Sequence, residues 1–227
     1  MDFVKALDEI ILSENVVERF YEKFGTDSGF SAWIDNIIPQ LRKCENQKQN
    51  NPWHKYNVLR HILHSVKEMN KQTKARCFDF KTRRLLAYVM LFHDIGKPDK
   101  HIVREKNGKK IDSFFDHNVK SSEIAQEILP KLGFEEKEVA IMLKLIFKHD
   151  IFMFIKLYKT NNPYWKVLTK ELVEEEIQDL NQVGDGKLLL EWLILVGRSD
   201  NLAQNEKMTV ESLQMLDKFE KMLTAMQ

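Results

Sequence analysis

The sequence predicts an all-α fold, a helical bundle with one small β-hairpin near 100–115. Three observations carry this. Glycine and proline are scarce, at 8 and 5 of 227 residues. Long stretches repeat apolar residues at the helical period. One segment, HIVREKNGKKIDSFFD, breaks that pattern with an Asn107-Gly108 pair between two short runs, the strongest short-range hairpin signal.

In chain order, the periodicity predicts helices near 2–12, 14–24, 31–47, 56–70, 79–95, 118–132, 136–149, 151–159, 164–180, 186–204 and 208–225. The first, MDFVKALDEIIL, carries two acids and reads as amphipathic, not as a signal peptide. In 79–95, Leu85, Leu86, Val89, Met90 and Phe92 form an apolar face that ends at His93-Asp94. Gly96 then suits a left-handed C-cap, with Pro98 beyond it to stop the helix. The only strands expected are the pair flanking Asn107-Gly108. A single domain over 1–227 is expected, its core at 37–215, with 1–35 as an added helical layer that holds none of the residues singled out below.

Composition excludes several roles. The net charge is +1 with 30% charged residues, so no global field favours a polyanion, and strong binding to long nucleic acid is not expected. Cys44 and Cys77 form neither zinc-ligand spacing nor a disulfide framework. No apolar run approaches the ~18 residues of a membrane span, so the expected location is cytoplasmic.

Six residues stand out: His61, His93, Asp94, His117, His149 and Asp200. Taken singly, each has an ordinary surface or core explanation. Taken together they are the side chains that bind first-row transition metals, placed mostly within or at the ends of predicted helices. A buried polar group without a partner is unfavourable by roughly 1–3 kcal/mol or more, so several of them on different helices suggest one shared partner, and a metal is the simplest. Adjacent helical residues diverge by about 100°, but His93 and Asp94 can still reach one site if it is two metals wide and Asp94 bridges. Mixed imidazole and carboxylate donors suit Mn, Fe, Co, Ni or Zn and fit Mg or Ca poorly.

The ordered set H…HD…H…H…D, with LFHDIGKP at its centre, resembles the signature of the HD superfamily of metal-dependent phosphohydrolases. NPWHKYNVLRH (52–61), LFHDIGKP (91–98), FFDHNVKSSEIAQEIL (114–129), LIFKHD (145–150) and LVGRSDNLAQN (195–205) look like the HD domain of bacterial CCA-adding tRNA nucleotidyltransferases. The similarity covers roughly 37–215 and keeps order and spacing. No Gly-Ser loop followed by a paired-carboxylate strand is found, so nucleotide addition is not expected and the chain reads as a stand-alone HD domain. The resemblance implies metal-dependent hydrolysis of a small phosphoester, expected to be a nucleotide. It also implies a first divalent metal on His61, His93, Asp94 and Asp200, and a second on Asp94, His117 and His149. Two such cations acidify water held between them and neutralise charge growing on phosphate oxygens.

Asp94 and Lys97 are thus the candidate catalytic residues, with Lys97 placed to grip the phosphate or stabilise the leaving oxygen. His54, seven residues before His61, is a candidate substrate contact if its helix begins early. His64 reads as a surface or core residue, Asp150 as a cap of the following helix, and Arg198 as pointing away from Asp200. Lys97, Lys100, Arg104, Lys106, Lys109 and Lys110 make the hairpin and its approach electropositive, suited to a flap over an anionic substrate. Tyr164, Trp165 and Trp192 suit stacking on a base, although aromatic residues at helical spacing more often serve a core. Three rival functions remain: a di-iron oxygenase built on the same ligands, a non-catalytic nucleotide-sensing module, and a cyclic-dinucleotide phosphodiesterase. The last is disfavoured because its tandem Gly-Tyr-Pro element is absent.

Overall fold

In a computed structural model, residues 2–226 are described. Among them are eleven α-helices: α1 (Phe3–Ile11), α2 (Val16–Thr26), α3 (Ser28–Ile37), α4 (Gln40–Asn46), α5 (Val58–Ala75), α6 (Phe80–Phe92), α7 (His117–Ile128), α8 (Glu136–Lys148), α9 (Lys170–Leu180), α10 (Gly186–Leu202) and α11 (Glu206–Ala225). Four strands form two pairs: β1 (Ile102–Lys106) with β2 (Lys109–Ser113), and β3 (Ile155–Lys156) with β4 (Lys166–Val167). The fold is predominantly α-helical, and no helix among the described residues is long and apolar enough to cross a membrane.

The core is centred on α6. Every residue from Leu85 to Phe92 is buried, as expected of a helix surrounded by others. It packs against α5, α8 and α10, while α5 also packs against α2, α4 and α10. Side-chain caps fix where these helices start and hence which way their residues face. Asn57 accepts from the Arg60 N–H at 2.8 Å, Asp79 from Thr82 at 2.7 Å, and Asp185 from Lys187 and Leu188 at 3.1 and 3.2 Å. The caps of α5 and α10 thereby set the direction of His61 and Asp200.

Several boundaries differ from the sequence reading, each for a local reason. The helix predicted over 31–47 divides into α3 and α4 at Ile38-Pro39, because proline cannot continue a helix and is tolerated at a start. The helix predicted over 118–132 ends at Ile128 and gives way to a 3-10 turn, Leu129–Leu132, that contains Pro130 and closes on Gly133 at φ +81°. The helix predicted over 151–159 is a single 3-10 turn, Ile151–Phe154, running into β3. The helix predicted over 164–180 begins only at Lys170, where the Thr169 hydroxyl caps Leu172 N–H at 3.2 Å. Residues 155–156 and 166–167 pair as parallel strands, so a second pair exists beside the expected hairpin. The hairpin itself turns at Asn107 (φ +52°) and Gly108 (φ +71°), the two positive φ values of a type I′ turn. Gly96 has φ −82° and is not a left-handed cap.

The N-terminal helices sit on α5 and α6 through polar ties as well as apolar contacts. Asp8 accepts from Arg84 Nε at 2.9 and 3.0 Å and from the Tyr88 hydroxyl at 2.7 Å, and Asn70 donates to the Ile11 carbonyl at 2.6 Å. Replacing Asp8 with Ala leaves the buried Tyr88 hydroxyl and the half-buried Arg84 without their shared acceptor. The expected outcome in urea denaturation is a loss of about 1–3 kcal/mol. A loss below about 0.5 kcal/mol, typical of a plain surface substitution, would show that α1 does not lean on α6 through this tie.

Candidate metal centre

Helix ends bring the six residues together. His93 caps the C-terminus of α6, and Asp94 follows it in the turn. His149 caps the C-terminus of α8, and His117 opens α7. His61 lies in the first turns of α5 and Asp200 in the last turn of α10. Their ligand atoms fall into two groups, each within 4.8 Å: His61, His93, Asp94 and Asp200, and Asp94, His117 and His149. Asp94 belongs to both, and its two oxygens divide between them. Oδ2 lies 3.1 Å from His61 Nε2 and 3.3 Å from His93 Nε2. Oδ1 lies 3.1 Å from His117 Nε2 and 3.6 Å from His149 Nε2. Asp200 Oδ1 completes the first group, 2.9 Å from His61 Nε2 and 3.6 Å from His93 Nε2.

Three of the imidazoles are held in place by the backbone. His93, His117 and His149 each set Nδ1 at 2.7 Å from the carbonyl oxygen three residues earlier, of Met90, Phe114 and Ile146. A carbonyl only accepts, so these Nδ1 atoms each carry a proton and each ring turns its Nε2 inward, toward Asp94. His117 and His149 face each other Nε2 to Nε2 at 3.1 Å, and His93 faces His61 at 3.4 Å. Ring nitrogens gathered this closely around shared carboxylates are placed as ligands of a common cation would be. His61 adds a buried Nδ1 with no hydrogen-bond partner.

Charge points the same way. Burial alone would raise the Asp94 carboxyl; the His93 and Lys97 charges, with hydrogen bonds from His117 and His149, outweigh it and hold it well below the ordinary carboxylate range. Asp200 is likewise held well below, burial being outweighed by His61 and His93. Burial would lower His61 and His93, but Asp200 and Asp94 raise both. The same burial lowers His117, helped by His149 and Lys97 and opposed by Asp94. Two ionised carboxylates thus draw positive charge toward a ring of nitrogen donors, which is the donor chemistry of a divalent transition metal. The residues present fit such an ion in each group.

Lys97 is buried, with 5% of its surface accessible, so it is not a solvated surface lysine. Its Nζ lies 2.6 Å from Asp94 Oδ2, 3.1 Å from Gln49 Oε1 and 3.3 Å from His54 Nε2. His54 reaches the centre although α5 starts only at Val58, so the early helix start is not how it does so. Its ring meets His61 edge to face at 5.2 Å, and its Nδ1 bonds to Asn51 Oδ1 at 2.8 Å. Burial, then the Lys97 and His61 charges, push His54 well below its usual pKa.

Other candidates lie elsewhere. His64 stacks on Tyr56 at 4.4 Å, and Arg198 pairs with Asp217 and Glu220. Asp150 occupies the cap position of a 3-10 turn without a side-chain cap bond. Trp192 is half-buried against the core, whereas Tyr164 and Trp165 are exposed outside any helix. The residues of β1, the turn and the start of β2, including Arg104, Lys106, Lys109 and Lys110, are exposed. Three supporting residues carried little sequence signal. Gln49 sits in an uninformative polar run, and Ser121 accepts from Gly96 N–H at 2.9 Å. Gln204, which donates to Asp200 Oδ2 at 3.1 Å, was the most findable, four residues along the same chain direction.

Gly96 explains how α7 comes close enough for His117 to reach Asp94. A Cβ there would lie 2.6 Å from Ser121 N, 2.7 Å from His117 O and 2.8 Å from Lys120 Cβ. Gly96→Ala should therefore push α7 outward, with a stability loss of about 1–3 kcal/mol and weaker metal retention at the group containing His117. Thermal unfolding and elemental analysis of the variant check this. An unchanged Tm with unchanged metal content would show that the close approach is not needed.

Among known proteins, no family model matches the chain. A 124-residue stretch is 24% identical to the bifunctional uridylyltransferase/uridylyl-removing enzyme of Erythrobacter litoralis (strain HTCC2594). The aligned stretch is 50% of this chain and 12% of that enzyme, so the chain corresponds to a small part of its relative. The chain is therefore distantly similar to an enzyme and carries two overlapping His/Asp groups able to hold metal ions.

Proposed function

We propose that the chain is an HD-type, metal-dependent phosphohydrolase acting on a small phosphoester. The observation that carries this reading is the division of Asp94, one oxygen toward each imidazole group, with the Lys97 ammonium 2.6 Å away. When bound, two divalent ions would supply an acidified water and neutralise phosphate charge. Distant similarity to an enzyme named in part for removing a uridylyl group supports a role in phosphoester cleavage.

The chain's own residues do the positioning. Three groups surround the Lys97 ammonium: it hydrogen-bonds to Gln49 and His54 and pairs by charge with Asp94. Gln49 Nε2 is anchored on the Tyr56 carbonyl at 3.2 Å, so its oxygen stays aimed at the ammonium. His54 is kept neutral and offers its Nε2 as an acceptor, because its Nδ1 donates to Asn51. Lys97 therefore points along one direction, and to reach a phosphate oxygen it exchanges only the Asp94 contact. A positive charge held this way needs no reorganisation as negative charge grows on the departing oxygen. His93, His117 and His149 keep their tautomers through the backbone, so substrate binding does not disturb the donor set.

The test is hydrolysis of phosphoesters by protein loaded with Mn, Fe, Co, Ni or Zn. Activity should stop with chelator, proceed without oxygen, and place solvent oxygen in the released phosphate. Lys97→Ala should lower kcat by about 10²–10³ with metal content unchanged. Activity that appears only with ferrous iron and oxygen, with no phosphate released, would reject hydrolysis in favour of a di-iron oxygenase.

A further inference from the structure

A concave groove of roughly 430 Å³, a volume suited to a small organic ligand, is lined by Trp53, Met153, Phe154, Tyr158 and Trp165, in segments that adjoin site residues along the chain. Much of its apolar lining is exposed: Met153 at 59%, Tyr158 at 63%, Phe154 at 41%, and Trp53 and Trp165 at 39% each. The groove is continuous in chain with the site residues. Trp53 immediately precedes His54, and the turn carrying Phe152 to Phe154 begins two residues after His149. Asn205, just past Asp200 and Gln204, pins the Trp53 segment by donating from its backbone N–H to Trp53 O at 2.8 Å and from its side chain to Pro52 O at 3.0 Å.

Charge indicates the occupant. Lys156 Nζ lies 4.6 Å from the Trp165 ring centroid, and Lys106 Nζ, reaching over from the hairpin, lies 6.0 Å from that of Trp53. Cations flanking aromatic faces suit a flat, electron-rich ring attached to an anion. Glu211, Ser212 and Gln214 of α11 give the groove a polar edge with both donors and acceptors. A phosphate at Lys97 would leave the rest of its substrate to extend past His54 toward Trp53.

We infer that this groove is a nucleobase site, so that the phosphoester acted on at the Asp94 centre is that of a nucleotide. The inference rests on the phosphohydrolase reading for the phosphate end and on the groove alone for the base end. Trp53 and Trp165 supply the stacking faces, and α11 supplies the edge that meets the base's polar atoms.

The experiment compares adenosine 5′-monophosphate with ribose 5-phosphate, which keeps sugar and phosphate but has no base. Binding is read by quenching of intrinsic tryptophan fluorescence and by calorimetry, and hydrolysis is followed in parallel. The nucleotide should bind about tenfold or more tightly than the sugar phosphate. That preference should disappear in Trp53→Ala and Trp165→Ala and survive in Trp165→Phe, which keeps a stacking face. Equal binding of the two probes, or a preference that both alanine variants retain, overturns the base site. Hydrolysis of both probes at equal kcat/KM also overturns it while leaving the phosphohydrolase reading intact. A variant-sensitive base preference in a protein that cleaves no phosphoester supports the groove and rejects that reading. Concentration-dependent dimers that dissolve on Trp165→Ala, without any base preference, would assign the groove to a second copy of the chain and overturn the proposal.

Discussion

One buried carboxylate organises this protein. Asp94 is almost wholly inaccessible, yet it stays ionised because each oxygen faces its own pair of imidazoles and an ammonium lies alongside. A lone buried carboxylate would be strongly destabilising. It persists here only because four helices and a turn deliver nitrogen donors to it from different directions. The fold can be understood as the means of that delivery. The C-terminal part of α6, buried from Leu85 to Phe92, fixes Asp94 in depth, α5 and α10 close one side, and α7 and α8 close the other.

Helix ends suit this task. The last carbonyls of a helix have no partner within it. His93 and His149, placed at C-caps, fold Nδ1–H back onto such carbonyls and so present Nε2 outward from the helix end. One contact thus engages a carbonyl at the helix end, fixes the ring and places the proton on Nδ1. His117 achieves the same from a helix start, through the Phe114 carbonyl just before α7. The closeness of α7 depends in turn on Gly96 having no side chain, a packing reason for glycine that differs from the left-handed cap its position after a helix suggested.

The sequence made the helices legible where apolar periodicity was long, as in α5, α6, α8, α10 and α11. It was weakest over 151–169, where the apolar run IFMFIKLY has helical composition but forms a turn and short strands around Asn161-Asn162-Pro163. The same misreading hid the groove, because Tyr164 and Trp165 counted as helical aromatic residues are usually core. The six site residues were visible because their types and order are distinctive. The support around them was not: Gln49 and Ser121 act through one hydrogen bond each, and nothing in their local sequence marks it. Lys97 was legible as a charge beside Asp94, but its burial follows from Gln49 and His54 folding over it, a tertiary fact.

The sharing of Asp94 by two metal groups is most directly tested by metal stoichiometry, measured by elemental analysis of protein purified without chelators and then supplemented with Mn or Fe. Wild type should bind two ions per chain. His149→Ala should keep the ion held by His61, His93, Asp94 and Asp200 and lose the other, whereas Asp94→Ala should lose both. A wild-type protein that never exceeds one ion, or an Asp94→Ala variant that still holds two, would contradict the shared carboxylate.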